Sequence, residues 1–407
     1  MNILIVTQYF WPENFKINDL AQEMVSRGHD VTVLTGIPNY PSGKFFKGYG
    51  LLKKRVEKYN GIKIIRSPII ARGTGSGFRL AVNYLSFVIG CIFSSIKLLN
   101  KSFDSIFVFE VSPITVCLPA IFFKKIKKTP ICLWVLDLWP ESINAASKIN
   151  SKNLSKLLTP LIKYIYNNTD KILVSSRGFI KSINDKGIAK KKIEYFPQWA
   201  EEVYQPIEKK TYQNFPKLNK DSFKIIFAGN IGESQDFPSI LKAASILKNE
   251  KIDWIFIGNG RKKKWVEKEI KKYNLNNSVH MLGSFPINKM PLFFSNADCL
   301  LFSLKKKEIF SLTVPGKVQS YLASGKPILA MIDGEAAKII KDAKAGATCN
   351  SEDSKSLAKN VKRLMSLSKK DLDKLGQNGY MYYKKHFDRI VLMDRIEFIF
   401  KNLKLIP

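Results

Sequence analysis

Val314-Pro315-Gly316-Lys317-Val318-Gln319-Ser320-Tyr321-Leu322-Ala323-Ser324-Gly325-Lys326-Pro327-Ile328-Leu329-Ala330 reads as a glycine-opened helix, a Gly-Lys-Pro turn and a short apolar strand. A lysine at a helix start suits an anionic group, because free backbone N–H groups and the positive dipole end converge there. Helix, tight turn and buried strand form the repeating unit of a parallel α/β sheet. The same unit recurs on the N-terminal side of this stretch.

Upstream, Ile3–Thr7 reads as a buried strand, Ile17–Arg27 as a helix stopped by Gly28, and Val31–Thr35 as a second strand. Further strands are expected at Ile62–Ile65, Ser105–Phe109, Ile131–Val135, Lys171–Val174 and Ile193–Phe196, with helical stretches between most of them. Gln205–Ser222, polar and interrupted by Pro206 and Pro216, reads as a linker. The alternation then restarts with strands at Phe223–Ala228, Asp253–Ile257, Val279–Leu282 and Cys299–Phe302. Helices are expected at Ile240–Leu247, Arg261–Tyr273, Ser354–Leu367 and Lys370–His386. Strands alternating with helices imply parallel, doubly wound sheets covered on both faces. The expected organisation is one domain over 1–204, the linker 205–222, and a second domain over 223–388. An amphipathic segment, 389–405, is free to pack back on the first domain.

The 407 residues exceed one ordinary core. Five cysteines, with no Cys-x-x-Cys pair and mostly in apolar runs, read as reduced core thiols of a cytosolic protein. His29, His280 and His386 are scattered, which leaves no basis for a zinc site. Met1–Thr7 lacks the basic leader of a signal peptide. The net charge of +32 is shared by both halves of the chain, and within the first half it is concentrated in residues 41–130, which hold 16 basic and 3 acidic side chains. Solvated lysines in a lysine-rich composition account for part of this charge. Attraction to an anionic membrane surface is the functional alternative, at about 1 kcal/mol per basic residue near the surface. Leu80–Leu99 is the longest apolar stretch, and Asn83, several serines and Lys97 suit it to a buried or interfacial helix rather than a membrane span.

In open α/β sheets ligands bind beyond the carboxyl ends of the strands, where glycines admit phosphate to the backbone. Phe227-Ala228-Gly229-Asn230-Ile231-Gly232 and Ile257-Gly258-Asn259-Gly260-Arg261 are two such loops, and Val314–Lys317 is a third. Together they point to a nucleoside diphosphate. Neither Gly-x-Gly-x-x-Gly nor a Walker A sequence occurs, so dinucleotide and P-loop readings lose their main support.

These segments resemble the family 4 retaining glycosyltransferases over nearly the whole chain. Asn2–Val6 and Ser26–Thr35 resemble that family's acceptor domain. Phe227–Asn230, Gly258–Gly260 and Ala323–Pro327 resemble its donor domain. Pro38-Asn39-Tyr40-Pro41, Asp137-Leu138-Trp139-Pro140-Glu141-Ser142 and Pro197-Gln198-Trp199-Ala200-Glu201 are similar to a bacterial O-antigen and capsule subgroup that includes N-acetyl-L-fucosamine transferases. The resemblance implies a GT-B fold, with two Rossmann-like domains facing across a cleft, and metal-independent transfer with retention. It further implies a UDP-sugar donor as substrate, no cofactor and a polyprenyl-diphosphate-linked saccharide acceptor, and the basic 41–130 region with its apolar Leu80–Leu99 helix would place the chain peripherally on the inner face of the cytoplasmic membrane.

The chain also departs from that pattern. Leu312 and Ser320 stand where the family carries two glutamates eight residues apart, and Glu308 lies four residues too early. Asn230 and Gln235 replace a usual arginine and lysine, and Asn14-Phe15 a common glycine pair. Donor contacts are therefore assigned to Gly229, Asn230, Gly258, Gly260, Arg261, Gly316, Lys317, Ser320 and Glu335. Asp137 and Lys317 are the catalytic candidates. Trp11, Asn14, Tyr40 and Trp139 are the acceptor candidates. Each has a plainer alternative: solvated cations for Lys317 and Arg261, helix-start acids for Glu335 and Asp137, core or rim aromatics for the tryptophans. Asp371-Leu372-Asp373 spells a metal-binding Asp-x-Asp, but its lysine-rich helical setting argues against that role. A nucleotide-sugar 2-epimerase of the same fold is one rival. A basic nucleic-acid-binding protein is another; it would explain the charge and bind with steep salt dependence. It leaves the three loops without a purpose, and no nucleic-acid partner is expected.

Overall fold

A computed structural model describes residues 1–146, 152–208 and 221–405. Most of the expected linker lies outside the described residues. The chain forms two compact units, Met1–Phe196 with Ile390–Pro407, and Pro197–Arg389.

The first unit is built on eight strands: β1 (Asn2–Val6), β2 (Asp30–Gly36), β3 (Val56–Tyr59), β4 (Ile62–Ser67), β5 (Ser105–Glu110), β6 (Ile131–Val135), β7 (Lys171–Val174) and β8 (Ile193–Tyr195). Their order is β3-β4-β2-β1-β5-β6-β7-β8, parallel except for β3 against β4. Strand β3 was not anticipated, because its sequence, Val-Glu-Lys-Tyr, buries no complete face. Asn60-Gly61 is the signal for it: both residues have positive φ (47° and 83°) and close a two-residue hairpin onto Ile62. The 20-residue helix Gly77–Ile96 buries Asn83, Phe87, Val88 and Cys91. The terminal helix Arg389–Asn402 buries Leu392, Met393, Ile396, Ile399 and Phe400. Phe400 meets Phe107 of β5 edge to face at 5.3 Å, and Arg395 pairs with Glu194 of β8 at 2.6 Å.

The second unit carries β9 (Phe223–Ala228), β10 (Ile252–Ile257), β11 (Val279–Gly283), β12 (Cys299–Ser303), β13 (Ile328–Met331) and β14 (Gly346–Cys349). The order β11-β10-β9-β12-β13-β14 is wholly parallel and reverses between β9 and β12. Phe227, Phe237, Trp254, Phe256 and Leu301 anchor its core. This unit begins at Pro197, eight residues before the expected start of the linker at 205. Tyr204 stacks on Phe294 at 5.8 Å, and Glu201 reaches Ser320, so this segment packs with the second sheet. The signature helix is short, Lys317–Ala323, and Gly316 before it has helical dihedrals with no side-chain cap. Its seven residues give a weaker dipole than the sequence suggested. Asp371 and Asp373 lie in the helix Lys369–His386, tied to Ser368 and Lys369.

Candidate active site

In the second unit the carboxyl ends of β9 and β10 are stitched together loop to loop. Gly229 N–H donates to Ile257 O at 2.8 Å, Gly258 N–H to Gly283 O at 2.7 Å, and Ile231 N–H to Asn259 O at 2.8 Å. Gly258 has φ +142°, and a methyl group there would stand 1.9 Å from Gly229 O. A methyl group on Gly229 would fall 2.4 Å from Lys317 Cε. Only glycine permits this approach.

Lys317 is the central group. Its Nζ is buried without a hydrogen-bond partner among the described residues and lies 3.9 Å from the centroid of the Phe227 ring. The ring face offers a cation partial compensation, yet burial pushes the ammonium pKa down to about 7. A buried ammonium at the switch point of a parallel sheet, with no partner among the described residues, is able to accept an anionic group there. Gly229, Asn230, Gly258 and Gly260 share this location: Asn230 Oδ1 would lie 2.5 Å from a methyl on Gly260. Arg261 is exposed at the loop's end. Glu335 occupies the first turn of the helix Gly334–Asp342, beyond β13.

Ser320 is less free than its assignment requires. Its hydroxyl donates to Gly316 O at 3.2 Å and lies 3.5 Å from Glu201 Oε2. A carboxylate thus does stand beside position 320, but it comes from a segment 119 residues earlier, and spacing along the helix could not reveal it. Gln198 accompanies it: its Oε1 would lie 3.9 Å from a methyl on Gly316. Sequence reasoning also missed Glu233, whose carboxylate bridges Lys262 (2.8 Å) and Lys305 (3.2 Å) beyond β10 and β12. Those lysines, Lys262 first, hold the Glu233 carboxyl below its usual range.

In the first unit the order of strands reverses between β1 and β5, and the acceptor candidates sit on the loops there. Asp137 follows β6. Trp139 Nε1 lies 3.3 Å from both Asp137 Oδ2 and Ser112 Oγ. Ser112 has φ +113°, an uncommon conformation for a side-chain-bearing residue. Burial raises the Asp137 carboxyl above its ordinary range. Tyr40 is 40% exposed and packs with Tyr9 (5.7 Å) and Phe15 (5.4 Å), under the Arg72 guanidinium at 5.1 Å. Glu13, unremarked in the sequence, fastens this loop by accepting the Asn39 and Tyr40 N–H groups at 2.8 and 2.7 Å. Burial lifts its pKa to about 7. Trp11 stacks on Tyr59 at 4.1 Å, and its carbonyl accepts from Arg66. These contacts make Trp11 part of the scaffold around the loop. Asn14 is exposed. Among the described residues no group of three or more His, Cys, Asp or Glu side chains converges as a metal site.

Residues 208–382 match the family Glycosyl transferases group 1. The chain is similar to the probable glycosyltransferase WbjE of Pseudomonas aeruginosa, 29% identical over 274 residues, 64% of this chain and 66% of that one. It is also similar to the putative colanic acid biosynthesis glycosyl transferase WcaI of Escherichia coli K12, 24% identical over 340 residues (80% and 82%). Among solved structures, Anabaena HepE in complex with UDP-glucose superposes with a TM-score of 0.68 at 13% identity, covering 99% of this chain and 100% of that one. The family match covers 175 of the 407 residues, and the solved structures share the architecture over nearly the whole chain: the chain has the GT-B fold, with two Rossmann-like α/β units.

Proposed function

We propose that the protein transfers a sugar, with N-acetyl-L-fucosamine as a candidate, from a UDP-sugar to a polyprenyl-diphosphate-linked saccharide. The setting is bacterial O-antigen or capsule synthesis at the inner face of the cytoplasmic membrane. The observation that carries the donor half is the buried, unpartnered Lys317 ammonium against Gly229. A diphosphate supplies the missing counter-charge, and the loops after β9 and β10 admit it at backbone distance. HepE, of the same fold, is seen with UDP-glucose, and WcaI is named for colanic acid biosynthesis; both support the reading. In the retaining reaction the bond from the anomeric carbon to the β-phosphate oxygen breaks. The acceptor oxygen forms its bond on the same face, and its proton passes to the departing β-phosphate. Lys317 stabilises the charge that develops on that phosphate, the kind of interaction that contributes most in such sites. Asp137 orients a substrate hydroxyl.

A thermal-shift panel of UDP, GDP, ADP, dTDP and CMP, with and without EDTA, tests this. A native-state ligand raises the melting temperature by about 2.7 kcal/mol of stabilisation at a hundredfold excess over Kd. The expected result is a UDP-selective shift that survives EDTA. No shift with any nucleotide overturns the donor assignment.

The membrane half rests on the helix Gly77–Ile96, whose Phe78, Leu85, Ile89, Phe93 and Ile96 form one exposed apolar stripe, with Phe78 79% and Phe93 66% exposed. Lys125, Lys127 and Lys128 lie on and just after the neighbouring helix Cys117–Lys127. Lys124, from the same cluster, pairs with Asp170 at 2.6 Å and is excluded from the surface role. An apolar stripe beside basic side chains suits an anionic interface. Leu85→Asp with Phe93→Asp is expected to abolish co-flotation with phosphatidylglycerol vesicles. Neutralising Lys125, Lys127 and Lys128 should weaken it in low salt. Flotation unchanged in both variants removes this face from membrane contact.

A further inference from the structure

We propose that Glu110 is a positioning residue: a neutral carboxylic acid that holds the turn after β6, so that the negative charge of the Glu110–Asp137 pair resides on Asp137. The importance of that charge rests on the role proposed above for Asp137; the protonation itself does not.

Glu110 closes β5 at the reversal point of the first sheet, and its side chain is completely buried. Its backbone carbonyl accepts Leu136 N–H at 2.9 Å, and its Oε2 accepts Asp137 N–H at 3.4 Å. One residue therefore ties the end of β5 to the turn that carries Asp137. Its other oxygen, Oε1, is buried with no hydrogen-bond partner among the described residues. A buried carboxylate with an unsatisfied oxygen and no countercharge is strongly disfavoured, whereas the acid form carries no charge to desolvate. Asp137 is only half-buried, and its carboxylate has Trp139 Nε1 as a donor. When two neighbouring carboxyls share a site, the proton settles on the one less able to bear charge.

The titratable groups around Glu110 reinforce this. They are Asp137 on the β6 turn, Cys117 opening the helix Cys117–Lys127, Tyr166 on the helix Lys152–Asn167, and Tyr84 on the helix Gly77–Ile96. All are acids, anionic or neutral. Burial first, and the Asp137 charge second, push the Glu110 carboxyl well above its usual range, outweighing the backbone N–H groups of Asp137, Leu136 and Ser112, which favour the charged form. Glu141 acts on the same Tyr166 and adds further negative charge, while Arg72 acts on Tyr84 with the opposite sign.

Infrared difference spectroscopy of the full chain tests the proposal without any nucleotide or acceptor. Wild type minus E110Q at pH 7 should show the C=O stretch of a carboxylic acid. D137N should retain that band and lower the pH at which it disappears, because the neighbouring charge is gone. In parallel, E110Q should keep the wild-type fold, because Gln preserves the hydrogen-bonding shape. A carboxyl raised in the folded state contributes stability that fades as pH rises from the usual carboxylate range to the folded pKa. The melting temperature of E110Q should therefore gain on wild type with rising pH, while E110A is destabilised at every pH. Loss of carboxylate bands instead of an acid band in E110Q would overturn the proposal, as would an unchanged band midpoint in D137N. If E110Q does not fold, the D137N midpoint decides alone. A failed nucleotide panel leaves these outcomes unaffected.

Discussion

Lys317→Met will raise the melting temperature at pH 6 and erase the UDP-dependent shift in the same protein. Burial holds the Lys317 pKa at about 7 in the folded chain, against roughly 10.4 for an unfolded lysine. Between those values the unfolded state binds more protons, so stability rises with pH across the window from about 7 to about 10. At pH 6 both states are charged, and the wild type bears the full cost of burying the cation, on the order of 5 kcal/mol. Methionine has similar length and no charge, so that cost vanishes. For a unit of this size the gain corresponds to roughly 10–20 °C. The advantage should shrink as pH approaches 10. UDP binding to the wild type near pH 8 should draw a proton onto Lys317, visible as calorimetric heats that depend on the buffer's ionisation enthalpy. A destabilised K317M at pH 6, or one that still responds to UDP, would show that Lys317 is a structural side chain.

Gly258→Ala should be severely destabilising, by about 3–5 kcal/mol, a range reserved for named steric mechanisms. The residue sits at φ +142°, and its new methyl would meet the Gly229 carbonyl at 1.9 Å. A backbone atom cannot swing aside as a lysine tip can. The loops after β9 and β10 must separate, breaking the Gly229–Ile257 and Gly258–Gly283 hydrogen bonds. Chemical denaturation should show a lowered midpoint, and the nucleotide shift should be lost even below the new melting temperature. Gly28→Ala is the control: its φ is also positive, at +83°, but nothing lies within 4 Å of the added methyl. It should therefore cost only the backbone term, about 1 kcal/mol. Equal effects at the two positions would mean that loop closeness is not what Gly258 protects.

Much of this architecture is legible in one dimension. Apolar runs such as Ile3–Val6 and Ile131–Val135 are buried on both faces, and continuous runs of that kind separated by helical spacing allow only parallel, helix-covered strands. Glycines at strand ends mark where one loop's backbone can approach another's, as at Gly229, Gly258 and Gly260. Strand β3 escaped because it is an edge strand with no complete buried face. Strand β14 (Gly-Ala-Thr-Cys) escaped because four residues carry too little pattern. The signature helix was read from its Gly-Lys opening, but its seven-residue length depends on packing beyond that opening.

The sequence by itself determined the fold class and the glycines and lysine that stand at the strand ends of the second sheet. Those follow from local periodicity and from the conformational freedom of glycine, both properties of neighbours in the chain. Only the tertiary structure decided that Lys317 is buried without a partner over Phe227, that the carboxylate beside Ser320 comes from Glu201, and that Glu110 lies beneath Asp137. These depend on desolvation and on meetings of residues up to 119 positions apart. Charge in a protein interior is governed by what surrounds it in space, and a sequence lists only what precedes and follows.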